Sequence, residues 1–192
     1  SWTATNALNV AQRMAGVAGT STAGLAFGGI QPSGTYVGNM QSWNGSNWTA
    51  APAGLNNGSY GIVGAGTQTS ALRAGGENPA GGDAWNKTEE YNGTSWSEVN
   101  NMPTGVYNGA GGGVQTSAIV VRDTVTYEYD GTNWSTGGTL ATSRNGAGSG
   151  STSSDSSLVF GGAPALANTE LYNGTAWSNQ PNMGTGRGFF TG

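Results

Sequence analysis

No histidine and no cysteine occur among the 192 residues. That removes the common imidazole base, every thiolate nucleophile, the usual zinc ligand sets and all disulfides. A Ser-His-Asp triad cannot be built. Charge is scarce as well: six Lys/Arg and ten Asp/Glu leave a net charge of −4. Scattered over the whole chain, six cations make neither a nucleic-acid groove nor a polybasic membrane patch. No apolar run approaches the length needed to span a bilayer as a helix. Leu, Ile, Val and Phe total only 26 residues, a level at which chains are often disordered.

What is present argues against disorder. Glycine accounts for 36 residues, and seven Trp and seven Tyr recur at fixed places. A phrase of aromatic, Asn/Asp, Gly, two short residues and Trp appears four times. It starts at Trp43, Tyr91, Tyr129 and Tyr172 and ends at Trp48, Trp96, Trp134 and Trp177. With Trp2, successive repeat Trp residues lie 46, 48, 38 and 43 apart, a period typical of propeller or solenoid units. Asn-Gly or Asp-Gly between apolar flanks signals a hairpin, and a type I′ turn with positive φ at both central residues is the expectation. Gly-rich runs such as 61–66 and 146–150 suit an innermost strand, where side-chain room is scarce. Short apolar runs follow, three of them ending in a double glycine: Gly28-Gly29, Gly75-Gly76 and Gly161-Gly162. No sustained 3.6-residue stripe appears, so the fold class is all-β with four short strands per unit.

Double glycine, Glu-x-Tyr, turn, Trp, Met-Pro and Arg together resemble the kelch repeat of β-propellers. Unit two carries Gly75-Gly76, Glu89, Tyr91, Trp96, Met102 and Pro103; unit four carries Gly161-Gly162, Glu170, Tyr172, Trp177, Met183 and Arg187. Unit three departs, with Arg122-Asp123 in place of the glycines and a clipped connection to Tyr129. The repeat Arg is present as Arg13, Arg144 and Arg187 but missing after Trp48 and Trp96. The resemblance implies one propeller domain over 1–192, with units at about 1–48, 49–96, 97–134 and 135–177 and a partial unit at 178–192. Four complete four-stranded antiparallel blades plus partial terminal strands are expected, around Trp2 to Leu8 and Gly186 to Gly192, in a four- or five-bladed ring. Ser1-Trp2-Thr3 reads as a cut inside a repeat, so a segment of a longer protein is the expectation.

Recurrence separates framework from function. Trp2, Trp48, Trp96, Trp134 and Trp177 are read as blade-packing residues, because sugar-stacking platforms need not recur in every unit. Glu89 and Glu170 share one repeat position, with Glu128 within one residue of it, which suggests a structural partner such as the repeat Arg rather than a glycosidase pair. Asn44, Asn92 and Asn173 begin glycosylation sequons, yet unit three keeps the turn with Asp130. Galactose oxidase, a kelch propeller, needs His and a Tyr-Cys link, both absent here. The chain is therefore expected to be a non-enzyme without cofactor or metal.

Candidate binding residues are the loop aromatics Tyr36, Tyr60, Trp85 and Tyr107, which do not recur in register along the sequence. Loops on one face of a repeat scaffold commonly carry its function. The degenerate Gly/Thr/Ser/Asn-rich version, with Gly-Ala-Gly-Thr-Gln-Thr at 64–69, resembles kelch-like repeats of phage and environmental microbial surface proteins. That resemblance implies a structural and binding module at a virion or extracellular surface, in a fibre, spike or capsid-decorating protein. Its partners would be neighbouring subunits (a homo-oligomer among them), a host receptor or a surface glycan, with nucleic acid and membrane insertion excluded. A lectin-like carbohydrate-binding propeller is the alternative.

Overall fold

In the computed structural model, which describes residues 5–188, each aromatic–Asn/Asp–Gly phrase closes a hairpin. Its flanking aromatics pair directly: Trp43 with Trp48, Tyr91 with Trp96, Tyr129 with Trp134 and Tyr172 with Trp177. The loop between them therefore has four residues, not the two of a type I′ turn. Only its glycine takes positive φ, near +90° in all four loops. The residue before that glycine works through its side chain. Oδ1 of Asn92 accepts from the backbone N–H of Thr94 and Ser95 at 2.9 and 3.0 Å. Asp130 accepts from Thr132 and Asn133 at 2.8 and 2.7 Å. These two bonds hold the Asp130 carboxyl below its ordinary value. Asn and Asp interchange here because both offer that acceptor oxygen, which corrects the positive-φ expectation.

Sixteen strands follow in four sets. The first is β1 (Gly16–Gly19), β2 (Gly24–Phe27), β3 (Met40–Trp43) and β4 (Trp48–Ala50). The second is β5 (Val63–Gly66), β6 (Ala71–Ala74), β7 (Thr88–Tyr91) and β8 (Trp96–Glu98). The third is β9 (Ala110–Val114), β10 (Ser117–Arg122), β11 (Val125–Tyr129) and β12 (Trp134–Thr136). The fourth is β13 (Gly148–Ser153), β14 (Ser156–Phe160), β15 (Thr169–Tyr172) and β16 (Trp177–Gln180). Each set is one antiparallel sheet in sequence order. The glycine-rich strands β1, β5, β9 and β13 lie innermost, β1 against β5, β5 against β9 and β9 against β13. The molecule is thus a four-bladed β-propeller ring. Among the described residues no comparable contact joins β13 to β1. Residues 5–8 and 186–188 are not in strands; Trp2 and the rest of both proposed terminal strands lie outside the described residues.

Glycine is required where backbones crowd or turn. A Cβ on Gly64 would sit 2.3 Å from the Val17 carbonyl oxygen of the neighbouring blade. In the double glycines, both residues have positive φ, and the second donates its N–H to the connection that follows its own blade. Gly29 bonds to Ser59 O, Gly76 to Val106 O and Gly162 to Arg187 O, each at 2.7–2.8 Å. Blade three manages with Asp123 at φ 54°, bonded to Arg144 O, and crosses from β10 to β11 through residues 123–124 alone.

Blades are joined through the aromatics. Trp96 packs on Phe27 of blade one with ring centroids 4.8 Å apart. Trp134 Nε1 donates to Thr88 Oγ1 at 3.0 Å, and Trp177 Nε1 to Thr126 Oγ1 at 2.9 Å. Met40 stands at the corresponding position of blade one, so Trp96 Nε1 is left without an acceptor. The phenols do similar work. Tyr129 donates to Glu90 at 2.9 Å, and Tyr172 donates to Glu128. Gln68 and Gln115 each donate to two backbone carbonyls of the preceding blade. With so few aliphatic residues, these polar ties supply much of what specifies the ring.

Candidate functional site

Charged side chains in the strands are spoken for. A buried slot lies between the third strand of each blade and the connection that enters that blade. In blade four it holds Arg144 and Glu170: Nη2 meets Oε1 at 2.5 Å, and Glu170 also accepts from the N–H groups of Ala141 and Thr142. Arg144 further donates to the carbonyls of Thr142, Gly161 and Asn168. In blade two the repeat Arg is replaced by Ser59, and Arg73 reaches in from β6 instead. Arg73 donates to Ser59 Oγ at 2.6 Å and lies 4.0 Å from Glu89, which accepts twice from Asn56. Burial pushes the Arg73 guanidinium down to about 10, the nearby carboxylates only partly opposing it. Blade one fills the slot with Gln12 and Gln41, and blade three with Val106 and Tyr127.

Glu128 does not share the position of Glu89 and Glu170. Its counterpart is Glu90, and both face the next blade as acceptors for Tyr172 and Tyr129. The strand carboxylates therefore belong to the framework. Among the described residues no group of three His, Cys, Asp or Glu is placed to hold a metal ion.

A cavity of about 690 Å³ runs among the four inner strands, lined by Gly, Ala, Ser and Thr together with Val17, Leu25, Trp43 and Trp48. No charged residue lines it. Just before the inner strands, Met14, Gly61, Asn108 and Gly146 are linked by successive N–H to carbonyl bonds of 2.8–2.9 Å.

The β2–β3 type loops and the connections between blades share one face of the propeller, because alternate turns of an antiparallel sheet fall at the same end. All four candidate aromatics lie there, each half-buried. Tyr60 and Tyr107 prove equivalent: each precedes a left-handed residue of that hydrogen-bonded chain, Gly61 (φ 66°) and Asn108 (φ 54°). Tyr36 joins Tyr60 across the boundary of blades one and two, with ring centroids 5.1 Å apart and planes at 49°. Between their hydroxyls sits Glu77, the residue directly after the double glycine of blade two. Tyr36 donates to Oε1 at 2.8 Å and Tyr60 to Oε2 at 2.5 Å. Hydrogen bonding to this carboxylate is the main reason both phenols are pushed above their ordinary value. Glu77 itself is fixed by its N–H to Tyr60 O at 2.9 Å and by a bridge to Ala84.

Trp85 and Tyr107 do not join that cluster. Trp85 lies 5.4 Å above the Arg73 guanidinium, and Tyr107 lies 4.2 Å from that of Arg122. Arg122 is also 3.7 Å from Asp123. Glu77 opens the variable loop 77–85 but is not among the four aromatic candidates. Its signal was slight: a carboxylate immediately after a double glycine, without a counterpart in the other units.

Fold and site together define the class as a β-propeller with a polar aromatic cluster on its loop face. No family model matches the chain, and no curated protein matches it. The chain is similar to the solved structure of YjhT, with a TM-score of 0.77 over 98% of this chain and 76% of that one. Identity is 18%, so the likeness is one of fold.

Proposed function

We propose that the chain is a non-enzymatic structural and binding module, a degenerate kelch-like propeller serving at a virion or other extracellular surface. In a fibre, spike or capsid-decorating protein it would meet a host surface or neighbouring subunits through its loop face. One observation carries this reading. The strand carboxylates Glu89, Glu90, Glu128 and Glu170 are consumed in packing, whereas Tyr36, Tyr60 and Glu77 converge half-exposed at the loops. A rigid frame with a small polar aromatic surface suits recognition better than turnover. The test is binding of the labelled chain to candidate host cells and to itself. Tyr36→Ala with Tyr60→Ala should abolish capture, while Ser46→Arg with Thr94→Arg on the hairpin face should leave it intact. The opposite pattern overturns the reading.

The alternative, a carbohydrate-binding propeller, draws on the same cluster, since an aromatic face beside a hydroxyl-bonding carboxylate suits a pyranose. A glycan array in which several neutral sugars bind and Glu77→Gln removes them would favour it.

A further inference from the structure

Resting on the reading that the loop face binds a protein partner, we propose that Tyr36, Tyr60 and Glu77 form a receptor for an arginine side chain of that partner. The chain itself twice places an arginine beside both an aromatic ring and a carboxylate. At Tyr107, the Arg122 guanidinium lies 4.2 Å from the ring centroid and 3.7 Å from the Asp123 carboxylate. At Trp85, the Arg73 guanidinium lies 5.4 Å from the ring and 4.0 Å from Glu89. Tyr60 is the positional counterpart of Tyr107, and it too has a carboxylate beside it. The ion pairs among the described residues are Arg73–Glu89, Lys87–Glu98, Arg122–Asp123 and Arg144–Glu170, and none involves Glu77.

The geometry fits a guanidinium better than other cations or neutral groups. A carboxylate offers about four acceptor positions over its two oxygens. Each Glu77 oxygen spends one on a phenol, which leaves one per oxygen for two parallel N–H donors. The phenols hold the carboxylate in place and, with their ionisation pushed upward, remain neutral donors at neutral pH. The rings touch each other at 5.1 Å, so no cation fits between them; stacking falls on an outer ring face, as a flat guanidinium allows. A lysine ammonium is a hydrated point charge without the two-pronged match. A sugar diol supplies two donors but leaves the half-buried negative charge uncompensated.

The test is an NMR shift titration of the full chain with an acetylated, amidated Gly-Arg-Gly peptide. Matched peptides carry lysine or citrulline, the latter having nearly the same shape without the charge, and a methyl pyranoside is the neutral control. Shifts centred on Tyr36, Tyr60 and Glu77 are expected with arginine, weaker ones with lysine and none with citrulline. Glu77→Gln should weaken the arginine peptide roughly tenfold to a hundredfold, in line with loss of charge-assisted hydrogen bonds. Its stability should fall only modestly, from the weakened phenol bonds, far less than the loss from breaking the buried Arg144–Glu170 pair. Equal response to arginine and citrulline, an unaffected Glu77→Gln variant, or pyranoside shifts without arginine shifts would each overturn the assignment. If the Tyr36→Ala, Tyr60→Ala variant loses surface capture while the arginine peptide gives no shift, this assignment fails and the broader loop-face reading stands. If capture survives as well, both fall.

Discussion

Glu170 and Glu77 are both carboxylates near the loop end of a blade, and they live differently. Glu170 is fully buried, takes two backbone N–H groups and is neutralised by Arg144. Glu77 is half-exposed, takes two phenols and, among the described residues, has no cation within ion-pair distance. The slot of Glu170 has three other solutions in the same chain: a Gln pair, a longer Arg–Glu contact and an apolar Val–Tyr pair. Charge is therefore not what that slot requires; filling is, since Gln12 Nε2, Arg73 Nε and Nη1 and Glu89 Oε1 sit there without a hydrogen-bond partner. A buried ion pair is replaceable by apolar groups, yet costly to break from one side. The residues at the position of Glu77 in blades one and four, Ile30 and Ala163, make the same backbone bond but carry no carboxylate, which marks Glu77 as a local feature rather than a repeat device.

This contrast can be broken most severely at Arg144. Arg144→Met alone strands Glu170 as a buried unpaired charge and should cost about 3–5 kcal/mol in urea unfolding. Copying blade three, Arg144→Val with Glu170→Tyr should recover most of that loss. Failure to recover would mean the ion pair is specifically needed. A smaller effect is expected at the blade boundary. Trp134→Phe removes the bond to Thr88 and should cost about 1–2 kcal/mol, whereas Trp96→Phe, whose Nε1 has no acceptor, should cost less. At the turns, Asn92→Ala should cost about 1 kcal/mol and Asn92→Asp close to nothing.

Raising pH probes both regions together. Burial, followed by the bond to Glu90 or Glu128, pushes the phenols of Tyr129 and Tyr172 above their usual value; for Tyr36 and Tyr60 the bond to Glu77 leads. An unfolded chain ionises these groups near pH 10, while the folded chain holds their protons longer. Their contribution is complete below pH 10 and is lost as pH rises through the folded values. Thermal unfolding should move to lower temperature above pH 10, and tyrosinate absorbance should show a late-titrating set that includes these four phenols.

Much of the ring could be read from the repeating phrase, because hairpin loops, double glycines and aromatic spacing are local signals. The turn type was misread since Asn satisfies two backbone donors as readily as it tolerates positive φ, and only Asp130 in context separates the two. Glu128, one residue from the position shared by Glu89 and Glu170, belongs with Glu90 instead, because a one-residue offset in a strand reverses the side chain's direction. Arg73 standing in for a missing repeat Arg was invisible, since it enters the slot from a different strand. The Tyr36–Tyr60–Glu77 cluster draws on three segments of two blades, and no local pattern announces such a junction.

The measurement that bears most directly on the division between frame and site is Glu77→Gln, followed for arginine-peptide binding and urea unfolding on the same sample. Loss of binding is expected with a stability loss of about 1 kcal/mol, from the weakened phenol bonds, well below that of Arg144→Met. Unchanged binding, or a stability loss approaching that of Arg144→Met, would contradict that division.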